Sequence, residues 1–155
     1  MNVFKYLKEK NNQSCFVLGS VFFILILLFS IIAGLIAVPA FRKYINFIFL
    51  NAAGIIFSLL GVVLVLLTLR KKIKGLLKNF LILTGVCAAG FSVSVILHNL
   101  IYGLFIILFG RDFWDIIGLS DEPLFFLLAI LVFPAGFLIG VVGTLITFIK
   151  EKKQH

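Results

Sequence analysis

Charge is what this chain has least of, and acidic charge least of all. Charged residues make up 13 % of the sequence, against about 25 % in ordinary soluble domains, and only six are Asp or Glu. None of the six, and no Lys or Arg, falls within four long apolar runs: 16–38, 45–69, 79–109 and 124–149. Proton- and cation-coupled carriers usually keep a carboxylate inside the bilayer, so its absence counts against that class. The small multidrug exporters share a four-span size but depend on a membrane glutamate that has no counterpart here. Cysteine is scarce too. Cys15 and Cys87 form no C-x-x-C pair, which excludes paired-thiol redox chemistry, and Cys87 reads as a buried apolar thiol. Two histidines, His98 and His155, are too few for bis-histidine haem, and no three ligands cluster for zinc. No metal or cofactor is expected.

What the chain does have is hydrophobic mass. Apolar residues reach 63 % of 155, with 19 phenylalanines. A soluble domain of this size has too little interior to hide that surface. A spanning helix needs roughly 20 apolar residues, and each run meets that length. The runs are apolar on all faces, unlike barrel strands, which alternate over about 10 residues. The expected fold is therefore all-α: one domain over 1–155, an integral membrane bundle of four transmembrane helices.

The charges between the runs predict an orientation. The amino-terminal segment, the loop from Arg70 to Lys78 and the tail hold eleven Lys and Arg; the other two loops hold three. The positive-inside rule then places both termini in the cytoplasm, in the cell membrane. The net charge of +8 is read as a topology signal. The basic loop is short and lacks interleaved aromatics, so anionic lipid headgroups are expected against it and no nucleic acid. The first run is longer than a signal-peptide core of about 7–15 residues. It reads as an uncleaved anchor despite Val38-Pro39-Ala40. Cys15 follows no apolar signal run, and the tail carries no prenylation box.

Helix ends carry local signals. Pro39 ends the first helix, and 41–44 form a short turn. Gly75 loosens the basic loop. Ser120 reads as an N-cap, with Asp121, Glu122 and Pro123 in the following turn. Before it, Phe113, Trp114, Ile116, Ile117 and Leu119 alternate with Asp112 and Asp115. That pattern predicts a short interfacial helix anchored by Trp114, with a lid over a cavity as the sharper alternative. The third run would reach roughly 46 Å, so it tilts, overhangs the lipid or breaks near Gly90. Pro134 predicts a kink in the fourth run that frees a carbonyl near Ile130.

Packing in lipid relies on small residues and interhelical hydrogen bonds. Gly136, Gly140, Gly143 and Thr147 form one stripe on the fourth helix. Gly54, Ser58 and Gly61 do so on the second, and Ser30, Gly34 and Ala37 on the first. On the third, Gly85, Ala89, Ser92, Asn99 and Gly103 share a face, so Asn99 is expected to point at a neighbouring helix. Ser94, His98 and Tyr102 make a separate row at i, i+4, i+8. An intramembrane polar group is a functional candidate by default. The plainer expectation is interhelical contact, with Asn99 bonding a backbone carbonyl and a neutral His98 bonded to Tyr102 or Ser94. A Ser94–His98 protease site is the remote alternative, without a G-x-S-x-G elbow.

Two resemblances follow from these residues. Asn51-Ala-Ala-Gly54, Phe57 and Gly61 resemble the fluoride-channel family, whose pores use Asn and Phe; the third run and the charge asymmetry depart from its pattern. A broader match runs from Leu83 to Gly143. It comprises Leu83-Thr84-Gly85, Leu97-His98-Asn99 with Tyr102, Phe109-Gly110, Phe113-Trp114, Gly118, Asp121-Glu122-Pro123 and the glycine-rich last run. This resembles a group of uncharacterised prokaryotic four-span membrane proteins. The resemblance implies a multi-pass protein, draws attention to His98, Asn99, Asp121 and Glu122, and carries no activity. The expected function is a non-enzymatic interaction or structural subunit that binds a membrane-protein partner or itself. The alternatives are a small channel or carrier for a neutral or anionic solute and, more remotely, an intramembrane enzyme.

Overall fold

The computed structural model describes residues 3–38, 47–71, 73–119 and 121–153, with side chains in the first helix from Phe16 onward. Every regular element among them is helical. They are α1 (Val3–Ala37), α2 (Phe47–Arg70), α3 (Gly75–Phe109), the single turn α4 (Phe113–Ile116), α5 (Pro123–Leu127), a π-helical turn (Leu128–Val132) and α6 (Phe133–Lys153). Four segments are long and apolar enough to cross a membrane: Phe16–Ala37, Asn51–Arg70, Gly75–Phe109 and Pro123–Glu151. The expected ending at Pro39, the turn at 41–44, the side chain of Cys15, Ser120 and His155 lie outside the described residues.

α3 is the central helix. α2 packs along one side of it and the α5–α6 rod along the other, while α1 packs on α2. Small residues set both seams. An added Cβ at Gly61 would meet Gly85 O at 2.7 Å and Ala89 N at 2.9 Å, so two backbones touch there. The same seam is pinned by hydroxyls. Ser58 Oγ donates to Ala89 O at 3.0 Å, and Ser92 Oγ to Gly54 O at 2.8 Å. These are the interhelical bonds that small-residue seams in lipid favour.

On the other side, Gly136, Gly140 and Gly143 face Cys87, Thr84 and Phe80 in antiparallel order. The 4, 3 spacing of the glycines thus matches a 3, 4 spacing on α3. Between α1, α2 and α6 the core is closed by three rings: Phe29 to Phe137 at 4.6 Å, Phe57 to Phe137 at 5.3 Å and Phe29 to Phe57 at 6.2 Å.

Two long-helix expectations resolve differently from each other. α3 runs unbroken for 35 residues, about 52 Å at 1.5 Å per residue. Gly90 marks no break; it makes room for the Phe133 ring. At Pro134 the helix instead widens beforehand. Phe133 N–H donates to Leu128 O, five residues back, closing a π turn. Proline lacks an N–H and crowds the preceding turn, so one extra residue per turn relieves the conflict. α3 ends at Gly110, whose N–H still bonds Ile106 O and whose φ of +98° then turns the chain out of the helix.

The two ends of the bundle differ in kind. One, the basic end, carries the Arg70–Gly75 connection and the end of α6. The other, the loop end, carries Gly110–Glu122.

Candidate functional site

The polar groups of α3 gather at the loop end. α5 begins there with Pro123 at its first position, and Glu122 caps it. One Glu122 oxygen accepts from Leu124 N at 2.8 Å; Phe125 N donates to both oxygens, at 3.2 and 3.0 Å. With Pro123 fixing the chain at the first position, the Glu122 side chain folds back onto its own first turn. A carboxylate there also suits the positive end of the helix.

His98 rises from α3 into this turn. Its Nδ1 lies 3.1 Å from Glu122 O and 3.3 Å from Glu122 Oε2; its Nε2 lies 3.4 Å from Asp121 Oδ2. Asp121 Oδ1 accepts from Glu122 N at 2.7 Å. The imidazole is thus held between two carboxylates, with Phe126 beside it at 5.7 Å between ring centroids. A neutral imidazole donates through one nitrogen only, whereas the doubly protonated ring donates to both acids. Glu122 is 5 % exposed. A carboxylate so enclosed persists because two backbone donors and the imidazole replace its water.

The expected bonds of His98 to Ser94 or Tyr102 do not form. The three do share one face of α3, but each serves a different contact. Ser94 is buried, His98 meets the acids, and Tyr102 stacks on Trp114 at 5.8 Å and 13°. Sequence spacing placed the row correctly. Its partners lie 23 and 24 residues away across a loop, which helical periodicity does not reach.

Asn99 takes the opposite course from its expectation. It turns away from the bundle, exposed, and donates from Nδ2 to Val95 O of its own helix at 2.7 Å. Gly103, one turn on, has no neighbour within 4 Å. The small-residue face therefore packs from Gly85 to Ser92 and is open at Asn99 and Gly103. In the antiparallel register set by Gly61–Gly85 and Gly54–Ser92, Asn99 is level with Phe47, the first described residue of α2, so no described part of α2 packs beside the later turns of α3.

Trp114, expected as an interfacial anchor, is buried at 7 % exposure. Its Nε1 donates to Tyr102 O at 3.4 Å, and Phe105 and Phe113 flank it at 5.5 and 5.3 Å. The loop folds back on the end of α3 through this aromatic cluster. Trp114 is the only tryptophan, so intrinsic indole emission reports this loop alone. A blue-shifted emission that aqueous iodide hardly quenches is expected; a red emission open to iodide would show the loop undocked.

Among the described residues no group of three His, Cys, Asp or Glu side chains is placed to hold a metal ion. Searches of protein-family models, curated proteins and solved structures return no match to this chain.

Proposed function

We propose that this chain is a non-enzymatic multi-pass membrane subunit that works by associating with a second copy or another membrane protein. The basic end faces the cytoplasm, and the loop end, with its one-turn interfacial helix, lies at the opposite surface. The charge asymmetry supports that orientation.

The observation that carries the reading is Asn99. An exposed amide on a spanning helix is costly in lipid and is usually directed at a protein partner. Here it stands beside Gly103, where nothing obstructs the close approach of another helix. Within the bundle itself, both nitrogens of His98 are taken by Asp121 and Glu122, leaving Ser94 without an imidazole base. That supports the non-enzymatic reading.

Native mass spectrometry of protein released from gently extracted membrane tests it. The wild type should carry a second copy or a co-extracted membrane protein. Asn99→Leu should lose it while keeping the monomer folded, an effect of about 1–2 kcal/mol per interhelical polar contact. A wild type that is monomeric and partnerless, or a variant that associates equally well, would overturn the reading.

A further inference from the structure

An apolar gap lies between α1 and the rod of α5, π turn and α6. It has a volume of about 480 Å³ and is partly open to the outside of the bundle. Its floor is the triad of Phe29, Phe57 and Phe137, with Cys87 beside it. From that floor the slot rises toward the loop end. α1 supplies one wall, with Ala33 and Ala37 on it; the π turn and Pro134 supply the facing wall, with Ala129 on it.

The walls stay apart for reasons written in the side chains. Alanines on both sides project too little to meet. The π turn widens the rod where it faces α1. At the phenyl triad α1 and α6 close on each other.

Water does not fill such a space, because nothing in its lining offers the two to four polar partners a buried water needs. An empty slot would forfeit dispersion contacts along its whole lining. From Phe29 to Ala37 the slot runs roughly 12 Å along the helix axis. One hydrocarbon leaflet is about 15 Å deep, half of the bilayer core. The slot is therefore closed near the bilayer centre, open toward one headgroup layer and as long as a single lipid tail within its leaflet.

We infer that the slot is a binding site for one acyl chain of a bilayer phospholipid, taken from the leaflet at the loop end. The chain inserts methyl end first against Phe29 and Phe137 and completes the packing between α1 and α6. This inference does not depend on the association surface at Asn99, which lies on α3 and outside the slot lining.

The test uses the full chain reconstituted in phosphatidylcholine vesicles. These contain a trace of phosphatidylcholine with a diazirine midway along one acyl chain. After photolysis, adducts are mapped by peptide mass spectrometry. Adducts at Ile32, Phe133 and Pro134, half-buried in the slot lining, should exceed those at the exposed residues Ile55 and Leu59 on α2 several-fold. Ala33→Trp, which fills the slot, should reduce slot adducts to the α2 level and leave the α2 adducts unchanged. Equal labelling of slot and α2 in the wild type would overturn the inference, whether or not the variant folds. So would slot labelling that survives Ala33→Trp in a folded protein, or that an added polyisoprenol displaces while added phosphatidylcholine does not.

Discussion

Gly61→Ala will destabilise the bundle although alanine is the better helix former. The added methyl meets Gly85 O at 2.7 Å, Ala88 Cβ at 2.8 Å and Ala89 N at 2.9 Å. Two of these are backbone atoms, which cannot rotate aside. Overpacking ordinarily costs about 1–3 kcal/mol, and a clash with backbone belongs at the upper end of that range. Separation would also stretch the neighbouring bonds of Ser58 and Ser92 across the seam. Gly34→Ala is the matched control. Nothing lies within 4 Å of its Cβ, so only the intrinsic gain of up to about 1 kcal/mol remains. Reversible unfolding in mixed micelles should show opposite or clearly unequal shifts for the two. Equal stability of Gly61→Ala and wild type would mean that this contact does not hold α2 to α3. Gly143→Ala should fall between them, because its obstacle is the Phe80 ring, which has somewhere to turn.

Glu122→Ala should be the most damaging change at the loop end. It removes the cap from Leu124 N and Phe125 N, and with it the carboxylate beside His98 Nδ1, leaving that nitrogen the Glu122 backbone O. Capping is worth about 0.5–2 kcal/mol, and a hydrogen bond to a charged group about 1.5–3 kcal/mol. The sum is an upper bound, since the two effects share one carboxylate. Glu122→Gln separates them: its amide oxygen still caps, but the charge facing His98 is gone. His98→Leu removes the other partner and leaves the cap. A double-mutant cycle between Glu122→Gln and His98→Leu should give a coupling of about 0.5–3 kcal/mol. A coupling indistinguishable from zero would show that the imidazole and the carboxylate are neighbours without consequence. Loosening should also reach Trp114, because the same loop docks on α3 at Tyr102, and indole quenching provides that second readout.

The loop end and the seams also differ in how far sequence reaches them. Glycine spacing alone marked Gly136, Gly140 and Gly143 as a stripe, because helical periodicity is a local property. Which residues they meet, Cys87, Thr84 and Phe80, followed only from the register of α6 on α3. His98, Asp121 and Glu122 were each noticed in the sequence, yet not as one cluster. Their contact depends on how the thirteen residues from Gly110 to Glu122 fold back, and no period connects the two sides.

Composition and charge placement by themselves determined the helical class and the presence of four long apolar segments. They do so because a bilayer requires every backbone group to be satisfied within a long apolar helix, a demand legible one segment at a time. Tertiary structure alone decided that Asn99 faces outward, that Trp114 turns inward, that Pro134 is met by a π turn and that a chain-wide slot separates α1 from α6. Each of these depends on where a neighbouring helix begins, ends or draws away. In an apolar helix with no polar face to orient it, rotation and register are set by contact with its neighbours and by nothing in its own period.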